Sequence, residues 1–286
     1  MPGKRSLVLW VVIIAALITG AVILIFTSSD EPTPASTPQG QTQEPYQVIG
    51  YSVQQRPIQV YTFGKGQKEL LFVGGIHGGY EWNSTALAYQ AIEYFTNHSD
   101  TIPDPVTIHI IPTLNPDGTY LATKQDALDL NNLPSTSPSQ ARFNANQVDL
   151  NRNFDCKWQP QSTWRGAPVS AGTAPFSEPE TAALRDFVTT HNITAAIFWH
   201  SQSNAVYASE CEQGILPQTL AIMNVYANAA EYRAISTFDA YEITGDAEGW
   251  LASINIPAIT VELSTHETVE WEKNLEGIRA LLRYYQ

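Results

Sequence analysis

The sequence is short of positive charge, of cysteine and of repeats. Its 286 residues carry 15 Lys and Arg against 28 Asp and Glu, a formal net charge of -13. No Lys/Arg cluster interrupts that acidity. Nucleic-acid binding is therefore excluded as a function class, because phosphates are repelled without a basic patch. Only two cysteines are present, Cys156 and Cys211. Neither has a cysteine or histidine close by at a zinc-binding interval, which argues against a thiolate metal site. In an exported protein the two would form one disulfide; two buried thiols are the alternative reading. No internal repeat is visible. The apolar and charged fractions are those of a globular chain rather than a disordered one.

Charge is also missing from Leu7 to Phe26, LVLWVVIIAALITGAVILIF. About 20 residues at roughly 1.5 Å each span the hydrocarbon core of a bilayer. Lys4 and Arg5 precede the run and Asp30 and Glu31 follow it, so residues 1–6 are expected in the cytoplasm and the chain beyond 26 on the far side. This predicts a transmembrane signal anchor over 7–26. A cleaved signal peptide is the rival, although no A-x-A-like cleavage site follows Phe26. Either way the main domain would be extracytoplasmic. Residues 27–45, rich in Pro, Thr and Ser, read as a linker with almost nothing to bury. Residues 46–286 form the expected folded domain.

In that domain strand and helix signals alternate. Ile58–Phe63, Glu69–Val73, Val106–Ile111, Ala195–Trp199 and Ala258–Leu263 read as strands, the last two as buried ones. Helices are expected over Ser84–Tyr94, Ser177–His191, Leu216–Tyr232 and Glu267–Tyr285, with Ser177 and Glu180 as a capping box. Such interleaving predicts an α/β fold: three layers, α/β/α, around a mixed and mostly parallel twisted sheet. Sites in these sheets gather at the carboxyl ends of strands.

Two of the six histidines end strand-like runs. His77 closes LLFVGGIH and has Glu81 four residues on; His200 closes AAIFWH. His98, His109, His191 and His266 read as structural or surface residues. Hydrolytic zinc commonly takes three His or carboxylate ligands and keeps a fourth position open. The glycines after His77 permit a tight turn beside a metal. Glu262 lies inside the apolar TVEL run, where an unpaired carboxylate is costly. It is therefore expected to be paired, metal-linked or catalytic.

Taken in order, GGIHGGYEW, NPDG, RFNANQVDLNRNF, SEPET, WHS, YEITGDAEGW and TVEL resemble the zinc metallocarboxypeptidases of the pancreatic carboxypeptidase A and B type, here with a bacterial-type membrane anchor. The resemblance runs from about Tyr46 to the C-terminus. It implies one Zn2+ per catalytic domain, held by His77, Glu81 and His200. Asp149 would orient His77, Glu262 would be the general base, and Arg142 would stabilise the oxyanion. Asn151, Arg152 and Tyr241 would hold the terminal carboxylate of a peptide substrate. NPDG would supply a turn and SEPET a helix start. Two departures stand out: the first ligands are spaced H-x-x-x-E rather than H-x-x-E, and Tyr80 stands beside the position of an arginine. Glu248 aligns with the pocket for the terminal side chain, and with Asp246 would favour a cationic end. Both acids could instead serve a helix start. A basic peptide end and the diaminopimelate of a peptidoglycan stem fit equally. The alternatives in function are a zinc N-acyl amino acid deacylase of related fold and a catalytically inactive, membrane-tethered binding module.

Overall fold

The computed structural model describes residues 45–286, and these fall in one compact unit. The expected anchor, and the linker up to residue 44, lie outside the described residues. Among the described residues no helix is long and apolar enough to cross a membrane.

The strands are β1 (Gln47–Tyr51), β2 (Pro57–Gly64), β3 (Lys68–Val73), β4 (Val106–Ile111), β5 (Gln161–Trp164), β6 (Ala167–Ser170), β7 (Ile193–Ser201), β8 (Ala205–Ala208), β9 (Glu210–Cys211), β10 (Gly214–Ile215), β11 (Arg233–Ile235) and β12 (Ala258–Leu263). Eight build the central sheet in the order β1-β2-β4-β3-β7-β12-β8-β11. Its middle, from β4 through β3 and β7 to β12, is parallel; β2 joins β4, and β8 joins β12, antiparallel. The parallel centre is the part with continuous apolar runs, because helices cover both faces there.

Those helices are α1 (Trp82–Asn97), α2 (Pro116–Thr123), α3 (Pro179–Thr190), α4 (Pro217–Ala229), α5 (Ala247–Ser253) and α6 (Trp271–Tyr284). Leu87 and Phe95 of α1, Ile222 of α4 and Ile278 of α6 pack with Phe72, Ile197 and Val261 on one face. Leu184 and Phe187 of α3 and Trp250 and Leu251 of α5 pack with Leu71, Val73 and Phe198 on the other. Alternate residues of one strand thus feed opposite layers, as the pleat requires. The three layers and the mixed sheet match the expectation.

Several local expectations change. Ser177 and Glu180 form no capping box: Glu178 is the N-cap of α3, and Ser177 Oγ donates to Glu178 Oε1 instead. Pro179 at the first helical position is what sets that boundary. NPDG is more than a turn. The Asn115 side chain accepts from Gly118 N, capping α2, and Pro116 opens the helix. α2 then lies behind the zinc-motif loop: a Cβ on Gly78 would stand 2.8 Å from Gly118 Cα. The cysteines form a disulfide, Cys156–Cys211, with Cα atoms 6.0 Å apart. It ties the segment after Arg152 to β9.

Candidate metal centre and cleft

His77 follows β3, where Gly75 (φ 60°) and Gly78 (φ 49°) let the backbone bend back on itself. Gly78–Glu81 form a 3-10 turn, which absorbs the extra residue between His77 and Glu81 before α1 begins. His200 lies in β7, and the parallel register of β12 on β7 sets Glu262 beside it. Sheet geometry alone therefore delivers a histidine and a carboxylate to one strand end. Ligand atoms of His77, Glu81 and His200 lie within 4.8 Å of one another, and all three residues are buried.

The surroundings suit a cation. His77 Nδ1 and Glu262 Oε2 are buried without a hydrogen-bond partner, a costly condition unless another group meets them. His200 Nδ1 is 3.2 Å from Glu81 Oε2, and Nε2 is 3.2 Å from Glu248 Oε1. Burial alone would lower the His200 pKa, but Glu248 and Glu81 outweigh it and hold the imidazolium well above its usual range. His77 is driven the other way, by burial and then by Arg142 and His200. Burial, with the Glu81 charge next, pushes Glu262 up to about 8. A positive charge is thus demanded between the carboxylates, and a divalent metal with neutral histidines meets the same demand. The donor set, two nitrogens and a carboxylate, is one that zinc takes in hydrolases.

Around this centre is a cleft of about 430 Å³. Arg142 Nε donates to Asp149 Oδ2 at 2.9 Å, and its Nη1 is 3.7 Å from Glu81 Oε1. Asp149 is expected as the partner of His77, but Oδ1 is 3.6 Å from Nδ1, beyond hydrogen-bond range. Its carboxylate is engaged by Arg142 and by Asn151 N, so it orients the arginine first. Asn151 accepts from Ala247 N at the start of α5, and Arg152 is fixed by the carbonyls of Asn151 and Thr163. Tyr241 sits exposed at the mouth beside Phe238.

The two acids of YEITGDAEGW divide the roles suggested for them. Asp246 is a helix cap, its Oδ2 accepting from Gly249 N. Glu248 instead turns inward, 3.2 Å from His200 and accepting from Thr260 Oγ1, while still lining the cleft. His98, His109 and His191 do not line the cleft; His109 is held in the sheet by Thr62 and Glu69. His266 contacts Ser201 Oγ at 2.7 Å and packs on the Tyr80 ring. The hairpin β5–β6, which brings Trp164 and Arg165 to the cleft, is absent from the sequence reading. Its one signal is the Arg-Gly pair between two short segments, QSTW and APVS.

Residues 42–277 match the family described as zinc carboxypeptidase. The chain belongs to the zinc carboxypeptidase family. That family uses zinc, and the His77, Glu81 and His200 cluster is the group fit to hold it. Among its relatives is the γ-D-glutamyl-L-diamino acid endopeptidase 1 of Lysinibacillus sphaericus, 25% identical over 76% of this chain and 60% of that protein. Another is the mast cell carboxypeptidase A of Mus musculus, 32% identical over 54% of this chain and 39% of that protein. The chain therefore spans less than two thirds of the length of these relatives. The crystal structure of a murein-tripeptide amidase from Escherichia coli O157 shares the fold, with a TM-score of 0.57 at 22% identity, over 86% of this chain and 93% of that one.

Proposed function

We propose that the chain is a zinc-dependent exopeptidase that hydrolyses the C-terminal peptide bond of peptides, favouring ends with a cationic side chain or diaminopimelate. The observation that carries this reading is the strand-end cluster: His77, Glu81 and His200 converge, with Glu262 in register beside His200. Zinc held there would polarise the scissile carbonyl and acidify the attacking water.

The protein groups then divide the work. Glu262 takes a proton from the water and passes it to the leaving amine. Arg142, braced by Asp149, stabilises the oxyanion. Asn151, Arg152 and Tyr241 receive the terminal carboxylate, Arg152 by its guanidinium, whose Nε is buried without a partner. Glu248, Glu210 and Glu242 line the cleft, and an acid beside the terminal side chain favours an ammonium. The names of the murein-tripeptide amidase and of the diamino-acid endopeptidase support a peptidoglycan-type end. Display outside the cytoplasm, on an anchor at 7–26 or after its cleavage, belongs to the same proposal. The uncharged run and the Cys156–Cys211 bridge support it.

The test is release of the terminal residue, followed by mass spectrometry with the zinc-loaded full chain in detergent. Peptides ending in Lys, Arg, Phe, Glu and diaminopimelate are compared. Faster release of amine-bearing ends is expected, and Glu248→Gln is expected to level them. Release of acyl groups from N-acyl amino acids, with every peptide left intact, would point to a deacylase instead.

A further inference from the structure

Three segments that carry the ligand cluster and its neighbouring carboxylate meet again at one buried hydroxyl. Ser201 directly follows His200, Asn83 lies just beyond Glu81, and His266 stands on the loop after Glu262. Ser201 Oγ is 3.0 Å from Asn83 Oδ1 and 2.7 Å from His266 Nδ1. Ser201, Asn83 and His266 are all buried. Of the four histidines that supply no metal ligand, His266 alone touches a residue next to one.

The partners assign every proton of this contact. Asn83 Nδ2 donates to the carbonyls of Thr265 and Thr268, at 2.7 and 3.0 Å. Carbonyls only accept, so the amide nitrogen faces them and the amide oxygen faces Ser201. That oxygen also only accepts, and the single hydroxyl proton of Ser201 therefore points to Asn83. His266 Nδ1 must then donate to the same hydroxyl. Burial lowers the His266 pKa, so at neutral pH the ring holds its one proton on Nδ1. Its Nε2 is buried without a hydrogen-bond partner. The ring is set for one polar contact, the one to Ser201.

Ser201 passes this constraint to the ligands through its backbone. Its N–H donates to Glu81 Oε2 at 3.1 Å, and the same oxygen is 3.2 Å from His200 Nδ1. The tilt of that one peptide N–H therefore sets where the Glu81 carboxylate lies against His200. A serine whose side chain is free would let the peptide turn; one whose oxygen is held from two sides does not. The His266 ring also packs on Tyr80 at 4.6 Å, and Tyr80 immediately precedes Glu81. Filling that space needs a ring of this size but no Nδ1 proton, so the donor is the feature to explain.

We infer that His266 is a positioning residue for the metal centre: by donating from Nδ1 to Ser201 Oγ it locks the backbone N–H that aligns Glu81 for zinc. It touches no substrate, since it does not line the cleft. Hydrogen bonds that orient metal ligands in this way are worth about 10- to 100-fold in metal affinity. The inference rests on the metal-centre reading above and adds a residue that supports the ligands from behind.

The experiment measures zinc affinity of the full chain in detergent, by competition with a chromogenic chelator. His266→Phe keeps a ring against Tyr80 and lacks the donor, so its affinity is expected to fall about tenfold. His266→Asn carries an amide N–H as many bonds from the backbone as Nδ1 and should recover most of that loss. Ser201→Ala removes the hydroxyl from the other side and should match His266→Phe. The double variant should then bind no more weakly than either single one. Melting of the metal-free proteins reports folding separately; should His266→Phe not fold, Ser201→Ala and His266→Asn still decide. The imidazole 15N shifts of His266, assigned by their loss in the variant, are expected to show the proton on Nδ1. Wild-type affinity in His266→Phe or Ser201→Ala, no recovery in His266→Asn, additive losses in the double variant, or a ring protonated on Nε2 alone overturns this inference and leaves the metal centre standing. A wild type that takes up no zinc overturns the metal-centre reading, and this inference with it.

Discussion

Replacing Gly78 by alanine tests how the His77–Glu81 loop is shaped. Gly78 has φ 49°, and a Cβ there would stand 2.6 Å from the Ala141 carbonyl oxygen and 2.8 Å from Gly118 Cα. Both neighbours are backbone, so neither can swing away. The left-handed conformation costs about 1–2 kcal/mol, and forcing atoms into a packed site about 1–3 kcal/mol more. We expect Gly78→Ala to lose roughly 2–5 kcal/mol in urea unfolding of the metal-free protein. Gly214→Ala is the control, because Gly214 also has positive φ but nothing lies within 4 Å of its added Cβ. It should lose only the conformational share, about 1–2 kcal/mol. The loop must shift in Gly78→Ala, which carries Glu81 away from the two histidines. Zinc affinity, measured by competition with a chromogenic chelator, should then fall at least about tenfold, or about 1.4 kcal/mol. Equal stability of the two variants, with wild-type zinc affinity in Gly78→Ala, would refute the claim that α2 and the 139–142 segment hold the ligand loop.

Other perturbations follow from the same geometry. The Cys156–Cys211 bridge closes a separation of 55 residues, so the double Ser variant should lose about 4 kcal/mol in urea unfolding; an unchanged midpoint would show that the bridge adds nothing. Glu262 has its pKa raised to about 8 from the ordinary 4.5 by burial and then Glu81. Its contribution to metal-free stability is thus full below about 4.5 and lost as pH rises through about 8. Glu262→Gln should flatten that fall in a series of melting curves, and parallel curves for the two proteins would contradict the assignment. Asp149→Asn removes the carboxylate that fixes Arg142 Nε. It should lower kcat more than it raises KM, by on the order of tenfold or more if the oxyanion contact is lost. A change in KM alone would place Arg142 in ground-state binding.

How much of this was legible in the sequence depends on the range of the signal. Val106–Ile111 and Ala258–Leu263 were readable to the residue, the first from partial alternation and the second as a short, mostly apolar run of the buried-strand kind. The pairing of Glu262 with His200 was not, since register between strands about 60 residues apart leaves no local trace. His77 and His200 stood out because both close such runs, whereas the capping box at Ser177 gave way to Pro179. Glu248 could be placed at the cleft only through the family resemblance of its segment, and its contact with His200 depends on the turn of α5 toward β12. The β5–β6 hairpin escaped notice because four-residue strands of mixed composition carry almost no periodicity.

The most direct test of the central claim pairs zinc content with turnover in wild type and Glu262→Gln. The account predicts one zinc per chain in both, with release of the terminal residue falling on the order of 100- to 10,000-fold in the variant. Equal turnover in the two zinc-loaded proteins, or no zinc in wild type, would contradict it.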